Sequence, residues 1–265
     1  MDTAINEPRA LTWRDGQVGV MTLNSPATLN TLDVPMLLDM EAALVTLEGD
    51  PEVRAIVITG VDDRTFMAGG NVADLESRRA LDHYQQFSLV VHRVFRRFEE
   101  CSKPTIAAVN GWALGGGAEF MLTLDIRLMA EEASLGLPEI KFGIFPGGGG
   151  TQRLMRQISP CQARYLMFTG DFISADEAVR LGLVNRAVPR ANLMDEAMDL
   201  ARRIATKSPW ALRLLKSSML HGADMPLSAG LAHEMATIAL VLDTADAHEG
   251  LNAFLEKREP RFTGD

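Results

Sequence analysis

Residues 103–130, KPTIAAVNGWALGGGAEFMLTLDIRLMA, contain the pattern that decides the fold. After Pro104 comes the apolar run TIAAVN, then a glycine-rich stretch that opens into GGAEFMLTL, and then a second apolar run, LDIRLMA. Short apolar runs with β-branched residues, bounded by glycine or proline, are typical of buried strands. The stretch therefore predicts a strand, a loop, a short helix and a second strand. We expect the two strands to be parallel, because the intervening helix returns the chain to the same end of the sheet.

The same alternation precedes this stretch. Apolar runs at 18–23 and 53–59 predict strands, and helical spacing of apolar residues predicts helices at 34–47 and 81–98. The chain is therefore expected to have an α/β fold.

Beyond about residue 190 the pattern becomes entirely helical, and no further strand is predicted. The chain therefore divides coarsely into a core at 1–193 and a C-terminal helical region at 194–265. The helices predicted in and around this second region are 194–205, 209–220, 226–242 and 245–256.

Composition excludes several classes of protein. Hydrophobic residues make up 47% and charged residues 23% of the 265, which is typical of a globular chain and excludes disorder. The net charge of −9 argues against non-specific nucleic-acid binding, although a local basic patch could still hold a small anion. Cys101 and Cys161 form no C-x-x-C pair, so we expect reduced thiols in a cytoplasmic protein.

Neither a metal site nor a membrane association is predicted. The five histidines never fall in H-x-x-x-H or H-E-x-x-H spacing. The opening residues MDTAINEPRA lack an apolar h-region, so no secretory signal is expected. No uninterrupted apolar run approaches the length of about 18 residues that a membrane span needs.

Glycines cluster in three places, each between a predicted strand and a predicted helix: 69–70, 115–117 and 147–150. Ordinary tight turns would explain one cluster, whereas three favour loops that bring backbone N–H groups close to a ligand. The G-x-G-x-x-G, Gly-Lys-Ser/Thr and G-x-S-x-G motifs are all absent, which argues against a dinucleotide fold, a phosphate-binding P-loop and a hydrolase elbow. Paired N–H groups at a helix start can instead form an oxyanion hole.

Two acidic residues, Glu119 and Glu139, lie beside these loops. Glu119 has apolar neighbours in sequence, so burial would raise its pKa. Two carboxyls held close together can divide the acid and base roles of a proton-transfer reaction. Spacing does not show that they meet, and each could equally be a solvent-facing or helix-capping carboxylate.

Six motifs together give the chain a close resemblance to the enoyl-CoA hydratase/isomerase (crotonase) superfamily from about residue 18 to residue 262. They are NSPATLN (24–30), TFMAGGNVADL (65–75), the stretch 103–130, LGLPEIKFGIFPGGGGTQRL (135–154), FTGDFISADEAVRLGLVNRAVP (168–189) and AFLEKREPRF (253–262).

The resemblance implies a core of repeated ββα units followed by helices that pack in a homotrimer, often doubled to a homohexamer. On this interpretation, 1–193 is a ββα-spiral core that binds and transforms acyl-CoA, and 194–265 is the oligomerisation region.

The resemblance also implies roles for particular residues. The backbone N–H groups of Gly70 and Gly116 would hold the thioester oxygen of an acyl-CoA. Glu119 would activate water and Glu139 would exchange a proton with C2, although coupled carboxyls leave this division open. The residues it implies for substrate or CoA binding are Leu29, Ala68, Asn71, Gly147 and Lys257.

The sequence departs from the family pattern in the CoA-binding motifs. The usual A-G-x-D ends here in Asn71, whose amide can still form a local Asx hydrogen bond. Ser25 and Ala73 replace two basic residues that commonly contact CoA phosphates. The cations that could substitute for them are Arg64, Arg78, Arg79, Lys257 and Arg258, and the candidates for the acyl pocket, with core packing as the alternative, are Phe66, Met67, Trp112 and Phe142.

These features predict an enoyl-CoA hydratase that converts a trans-2-enoyl-CoA to the 3-hydroxyacyl-CoA. Both acids are present, whereas isomerases and dehalogenases of the family commonly lack one. No metal or redox cofactor is expected, because the thioester of the CoA substrate is itself the electron sink. The alternatives are another reaction on an acyl-CoA (double-bond isomerisation, thioester hydrolysis or hydration of an unusual enoyl-CoA) and a non-catalytic binding protein.

Overall fold

The computed structural model describes residues 8–264, whose strands form two sheets. The strands are β1 (Ala10–Asp15), β2 (Val18–Leu23), β3 (Ala55–Gly60), β4 (Thr65–Met67), β5 (Thr105–Val109), β6 (Trp112–Leu114), β7 (Ile126–Ala130), β8 (Ser134–Gly136), β9 (Phe172–Ser174) and β10 (Arg186–Val188). The larger sheet has the order β1-β2-β3-β5-β7-β10, and the smaller has the order β4-β6-β8-β9. Pairing is parallel except for β1 with β2 and β8 with β9.

The helices alternate with the strands and then follow them. They are α1 (Val34–Gly49), α2 (Val72–Ser77), α3 (Ala80–Asp82), α4 (Leu89–Glu99), α5 (Gly116–Met121), α6 (Gly150–Gln157), α7 (Pro160–Thr169), α8 (Ala175–Arg180), α9 (Arg190–Ala205), α10 (Pro209–Gly222), α11 (Leu227–Leu242) and α12 (Ala245–Glu256). A π-helical segment (His83–Ser88) joins α3 to α4, and 3-10 turns occupy Pro26–Thr28 and Pro138–Phe142.

Three consecutive units place one strand in each sheet. β3, β5 and β7 lie in the larger sheet, and the strands that follow them, β4, β6 and β8, lie side by side in the smaller one. Each unit then continues into a helical segment. This is the predicted core of repeated ββα units, and the α/β fold with parallel pairing is confirmed.

A cluster of phenylalanines fixes α5 against the core. Phe120, fully buried on α5, packs edge-on against Phe98 with ring centroids 4.7 Å apart and stacks against Phe66 at 6.0 Å. A Cβ on Gly117 would lie 2.0 Å from the carbonyl oxygen of Met67, so only glycine allows this approach of α5 to β4. The orientation of the residue before Phe120, Glu119, is therefore set by core packing.

The C-terminal helices pack in two different ways. Helix α9 packs across β3, β5 and β7. The predicted boundary at 193/194 falls inside this helix. The division of the chain into two regions therefore stays a prediction. Helices α10 and α11 pack mainly against each other. Lys216 of α10 is buried and joins this pair to the core by an ion pair of 2.7 Å with Asp125. None of the helices within residues 8–264 is long and apolar enough to cross a membrane.

Strand β1 was not predicted from the sequence. Its pattern has only Ala10 buried and five exposed residues after it, so it lacks the alternation that marks a half-buried strand. It forms an antiparallel hairpin with β2 and lies at the edge of the larger sheet.

Candidate active site

A cavity of about 520 Å³ brings together residues from four separate parts of the sequence. Both predicted acids, Glu119 and Glu139, line it. Both predicted oxyanion residues, Gly70 and Gly116, line it as well, and so does Gly147. Since these residues are up to 77 positions apart, their convergence on one cavity is a property of the fold.

The two glycine loops present backbone N–H groups to this cavity. A Cβ on Gly116 would lie 2.6 Å from Leu32 Cδ1 and 3.7 Å from the nitrogen of Gly70, so the loops approach closely. Gly69 has a φ of +100°, a conformation that favours glycine. Within residues 8–264, neither the Gly70 nor the Gly116 N–H donates to another protein group. Both donors therefore remain available to an oxygen atom in the cavity.

Glu119 is buried and held by the third glycine cluster. Glu119 is only 4% exposed. Its Oε1 accepts hydrogen bonds from the N–H groups of Gly148 (2.8 Å) and Gly150 (2.7 Å). Burial raises the pKa of Glu119, as predicted, while the two N–H donors act in the opposite direction by favouring the carboxylate. The other carboxyl oxygen, Oε2, lies close to Gly148: a Cβ added to Gly148 would be 2.6 Å from it.

Glu139 has a different environment. It lies in the 3-10 turn that begins at Pro138, and its Oε2 is buried without a hydrogen-bond partner in the described part of the chain. Burial, and then the charge of Glu119, raise the pKa of Glu139 to about 7. The two N–H donors at Oε1 favour the carboxylate of Glu119, and Glu139 has no donor of this kind at its Oε2 within residues 8–264.

The loops behind the cavity contain most of the residues predicted to bind CoA. The Ala68 N–H donates to the Leu29 carbonyl (3.1 Å), and Leu29 has a φ of +56°. The Asn71 side chain accepts from the Asp74 N–H (3.1 Å) and caps α2, which confirms the expected local hydrogen bond. Buried Asn30, which sequence reasoning did not single out, fastens this region by donating to the Phe66 carbonyl (3.1 Å).

The structure does not bring every predicted residue to the cavity. Leu29, Ala68 and Asn71 lie in its supporting loops, whereas Lys257 is an exposed residue at the end of α12. Whether these four contact CoA stays a prediction. Of the candidate cations, Arg78 and Arg79 line the cavity.

None of the four acyl-pocket candidates is among the residues that line the cavity. Phe66 and Met67 are fully buried in the core, as the packing alternative has it, and Trp112 and Phe142 are exposed. The apolar side chains that do line it come mostly from α2, the π-helical segment, α4 and the loop after Gly143: Leu32, Leu75, Phe87, Val91, Ile144 and Phe145.

Among residues 8–264, no group of three or more histidine, cysteine, aspartate or glutamate side chains is arranged to hold a metal ion. The cavity thus contains two carboxyls and two backbone N–H donors. Its wall is largely apolar and includes two arginines, Arg78 and Arg79.

Comparison with known proteins adds an independent observation. The profile of the family described as enoyl-CoA hydratase/isomerase matches residues 14–265. The chain is 38% identical to the short-chain-enoyl-CoA hydratase of Clostridium acetobutylicum, covering 93% of this chain and 94% of that one. It is 39% identical to the crotonyl-CoA hydratase of Syntrophomonas wolfei, covering 94% and 95%. The crystal structure of an enoyl-CoA hydratase from Bacillus anthracis superposes with a TM-score of 0.92 at 35% identity, covering 97% and 100%.

Proposed function

The chain belongs to the enoyl-CoA hydratase/isomerase family, and from that premise we propose that it adds water across the double bond of a trans-2-enoyl-CoA to give the 3-hydroxyacyl-CoA. One observation carries the proposal. Glu119 and Glu139 line one cavity beside two N–H groups that have no partner within residues 8–264, and only Glu119 accepts backbone hydrogen bonds that favour its carboxylate, whereas Glu139 Oε2 has no partner there.

The substrate thioester oxygen accepts from the N–H groups of Gly70 and Gly116. As water attacks C3, electron density moves through the conjugated system onto this oxygen, which becomes an enolate. Donors already in place stabilise that charge without reorganising, and one such donor contributes about 3–4 kcal/mol in related oxyanion holes. This is why the reaction needs no metal or redox cofactor in the proposal.

The two carboxyls then balance the protons. Water loses a proton to the Glu119 carboxylate as its oxygen bonds to C3, and C2 takes a proton from the Glu139 carboxylic acid. The pair holds one proton before and after the step, so only its position has to be restored by exchange. A pKa of about 7 at Glu139 supports the acid role near neutral pH.

The experiment follows the ultraviolet absorbance of crotonyl-CoA with the wild type, Glu119→Gln and Glu139→Gln. We expect the conjugated-enoyl band to disappear with the wild type, a product heavier by one water, and rates lower by about 10²–10⁴-fold in each variant. Rates that persist after treatment with a chelator would support cofactor-free chemistry. An unchanged band, in a protein that still binds CoA thioesters, would overturn hydration of this substrate.

We also propose that copies of the chain assemble as a homotrimer or homohexamer through the α10–α11 pair. This support comes from the apolar side chains that the pair leaves at least half exposed, which include Leu215, Met219, Leu227, Met235 and Ile238. Light scattering that gives a monomer mass at micromolar concentration would contradict the assembly.

A cytoplasmic location stays a prediction, for which cell fractionation is the test.

A further inference from the structure

Two side chains hold the carbonyl groups of the glycine loop that binds Glu119. Nε2 of His92, on α4, donates to the Gly147 carbonyl oxygen at 3.0 Å. Nη1 of Arg153, on α6, donates to the Gly148 carbonyl oxygen at 2.9 Å. Arg153 is itself fixed by a two-point ion pair with Glu99, at 2.6 and 2.8 Å.

The Gly147 carbonyl matters because it shares a peptide group with the Gly148 N–H. Peptide bonds in the described chain are all trans, so the carbonyl and N–H of one peptide point in opposite directions. The His92 ring therefore aims the Gly148 N–H at Oε1 of Glu119.

The second donor is aimed by a different part of the structure. The Gly150 N–H shares its peptide with the Gly149 carbonyl, which accepts from the Arg153 backbone N–H at 2.8 Å as α6 begins. A regular helix start thus orients one donor to Glu119. The peptide that carries the other donor is held at its carbonyl oxygen by the His92 side chain.

We propose that His92 is a positioning residue for this reaction, one that sets the acidity of Glu119 through the Gly147–Gly148 peptide without touching the substrate. The inference rests on the proposed hydratase function for its kinetic effect. The charged and titratable groups around Glu119 are Glu139 from the 3-10 turn, Arg153 from α6, and Glu99 and His92 from α4, and only His92 holds the peptide that donates from Gly148.

The experiment compares His92→Leu, which removes the donor, with His92→Gln, whose amide can restore it. We expect His92→Leu to lower kcat about three- to tenfold with little change in KM, as for the loss of one hydrogen bond. The acid limb of its kcat profile should move up by as much as about one pH unit, because a carboxylate with one donor fewer is protonated more readily. His92→Gln should recover most of both effects.

The control is His248→Leu, since His248 is an exposed histidine on α12, outside the cavity wall. It should match the wild type. A folded His92→Leu variant with the kcat and pH profile of the wild type would overturn the inference, as would one that loses only thermal stability.

Infrared titration makes the inference testable apart from activity. The carboxyl band of Glu119 is isolated by subtracting the spectrum of Glu119→Gln, and its midpoint should rise in His92→Leu. If the wild type hydrates no enoyl-CoA, the proposed function fails while this midpoint still decides the inference. An unmoved midpoint contradicts the role of His92 even in an active enzyme.

Discussion

The surroundings of Glu119 and the α10–α11 pair differ in how completely one chain packs them. Around Glu119 the side chains of Phe98 and Phe120 are fully buried, and both donors to Oε1 come from the same chain. In α10 and α11 the buried residues are polar, Lys216 and Thr237, each 8% exposed, while many of the apolar ones are exposed. The surroundings of Glu119 are therefore packed by side chains of this one chain, whereas the helical pair keeps an exposed apolar face.

A glycine-to-alanine substitution should lower kcat strongly in the first region and leave it unchanged in the second. Gly148 has no positive φ, so Gly148→Ala acts only through its Cβ, which would lie 2.6 Å from Glu119 Oε2 and 3.2 Å from Val91. We expect kcat to fall about 100-fold or more as the carboxyl moves. Gly222→Ala, at the end of α10, meets nothing within 4 Å and should leave kcat unchanged with a slightly higher melting temperature. Steady-state kinetics decide this, and equal activities would break the comparison.

Truncation of apolar side chains should sharpen the contrast in stability. Phe98→Ala removes a ring that is 0% exposed and should cost about 3–5 kcal/mol. Leu231 on α11 is 49% exposed, and Leu231→Ala should cost about 0.5 kcal/mol or less in a protomer. Urea unfolding at several protein concentrations separates these effects. A cost for Leu231→Ala that grows with protein concentration would show that another copy covers this face.

The Glu139 carboxyl, whose Oε2 has no hydrogen-bond partner within residues 8–264, makes the folded protein less stable at high pH. Because the folded state raises the pKa of Glu139 to about 7, it binds a proton that the unfolded chain releases near pH 4.5. The resulting loss of stability is absent below pH 4.5, develops as the pH rises toward 7 and is fully present above it, on the order of 3 kcal/mol. Glu139→Gln should be the more stable protein at pH 8 and nearly equal to the wild type at pH 4.5. Parallel stability curves for the two proteins would contradict the raised pKa.

A pair of helix caps gives the smallest effect. The Asn71 side chain caps α2 beside Gly70, and Thr244 caps α12 by accepting from the Ala247 N–H at 3.2 Å. Asn71→Ala and Thr244→Ala should each cost about 1 kcal/mol of stability. Only Asn71→Ala should also lower kcat/KM, several-fold, since its loop carries the proposed oxyanion donor, the Gly70 N–H. Equal kcat/KM in the two variants would mean that the cap does not orient Gly70.

The sequence was most informative where a local pattern was long or chemically unusual. The runs that became β2, β3, β5 and β7 are apolar over five or six residues, and their pairing could be predicted. Glu119 and the glycine clusters stood out because a carboxyl among apolar residues and repeated glycines both need an explanation. Periodicity could not predict β4, β6, β8 and β9, because three residues are too few to show it.

The details of the site depended on contacts between distant parts of the chain. The two N–H groups that hold Glu119 come from 29 and 31 residues further along, and nothing in their local sequence distinguishes Gly148 and Gly150 from Gly147. Similarly, Phe87 and Val91 line the cavity because of the face that their helical segment turns inward. Phe66 and Met67 have equally apolar side chains and are buried instead in the core.

The close backbone contacts of the glycines also bear on how such a protein can diversify. A Cβ on Gly60, Gly111 or Gly117 would lie 2.0–2.2 Å from a backbone oxygen, so substitutions there disturb the framework that carries the acids and donors. The wall residue Ile144 is 47% exposed and can change size without moving that framework. Leu75 also lines the cavity but packs against Gly70, where an added Cβ would lie 2.8 Å from Leu75 Cδ1. We therefore expect single substitutions in the cavity wall to change acyl preference more readily than substitutions at these glycines, which would displace the acids and the N–H donors.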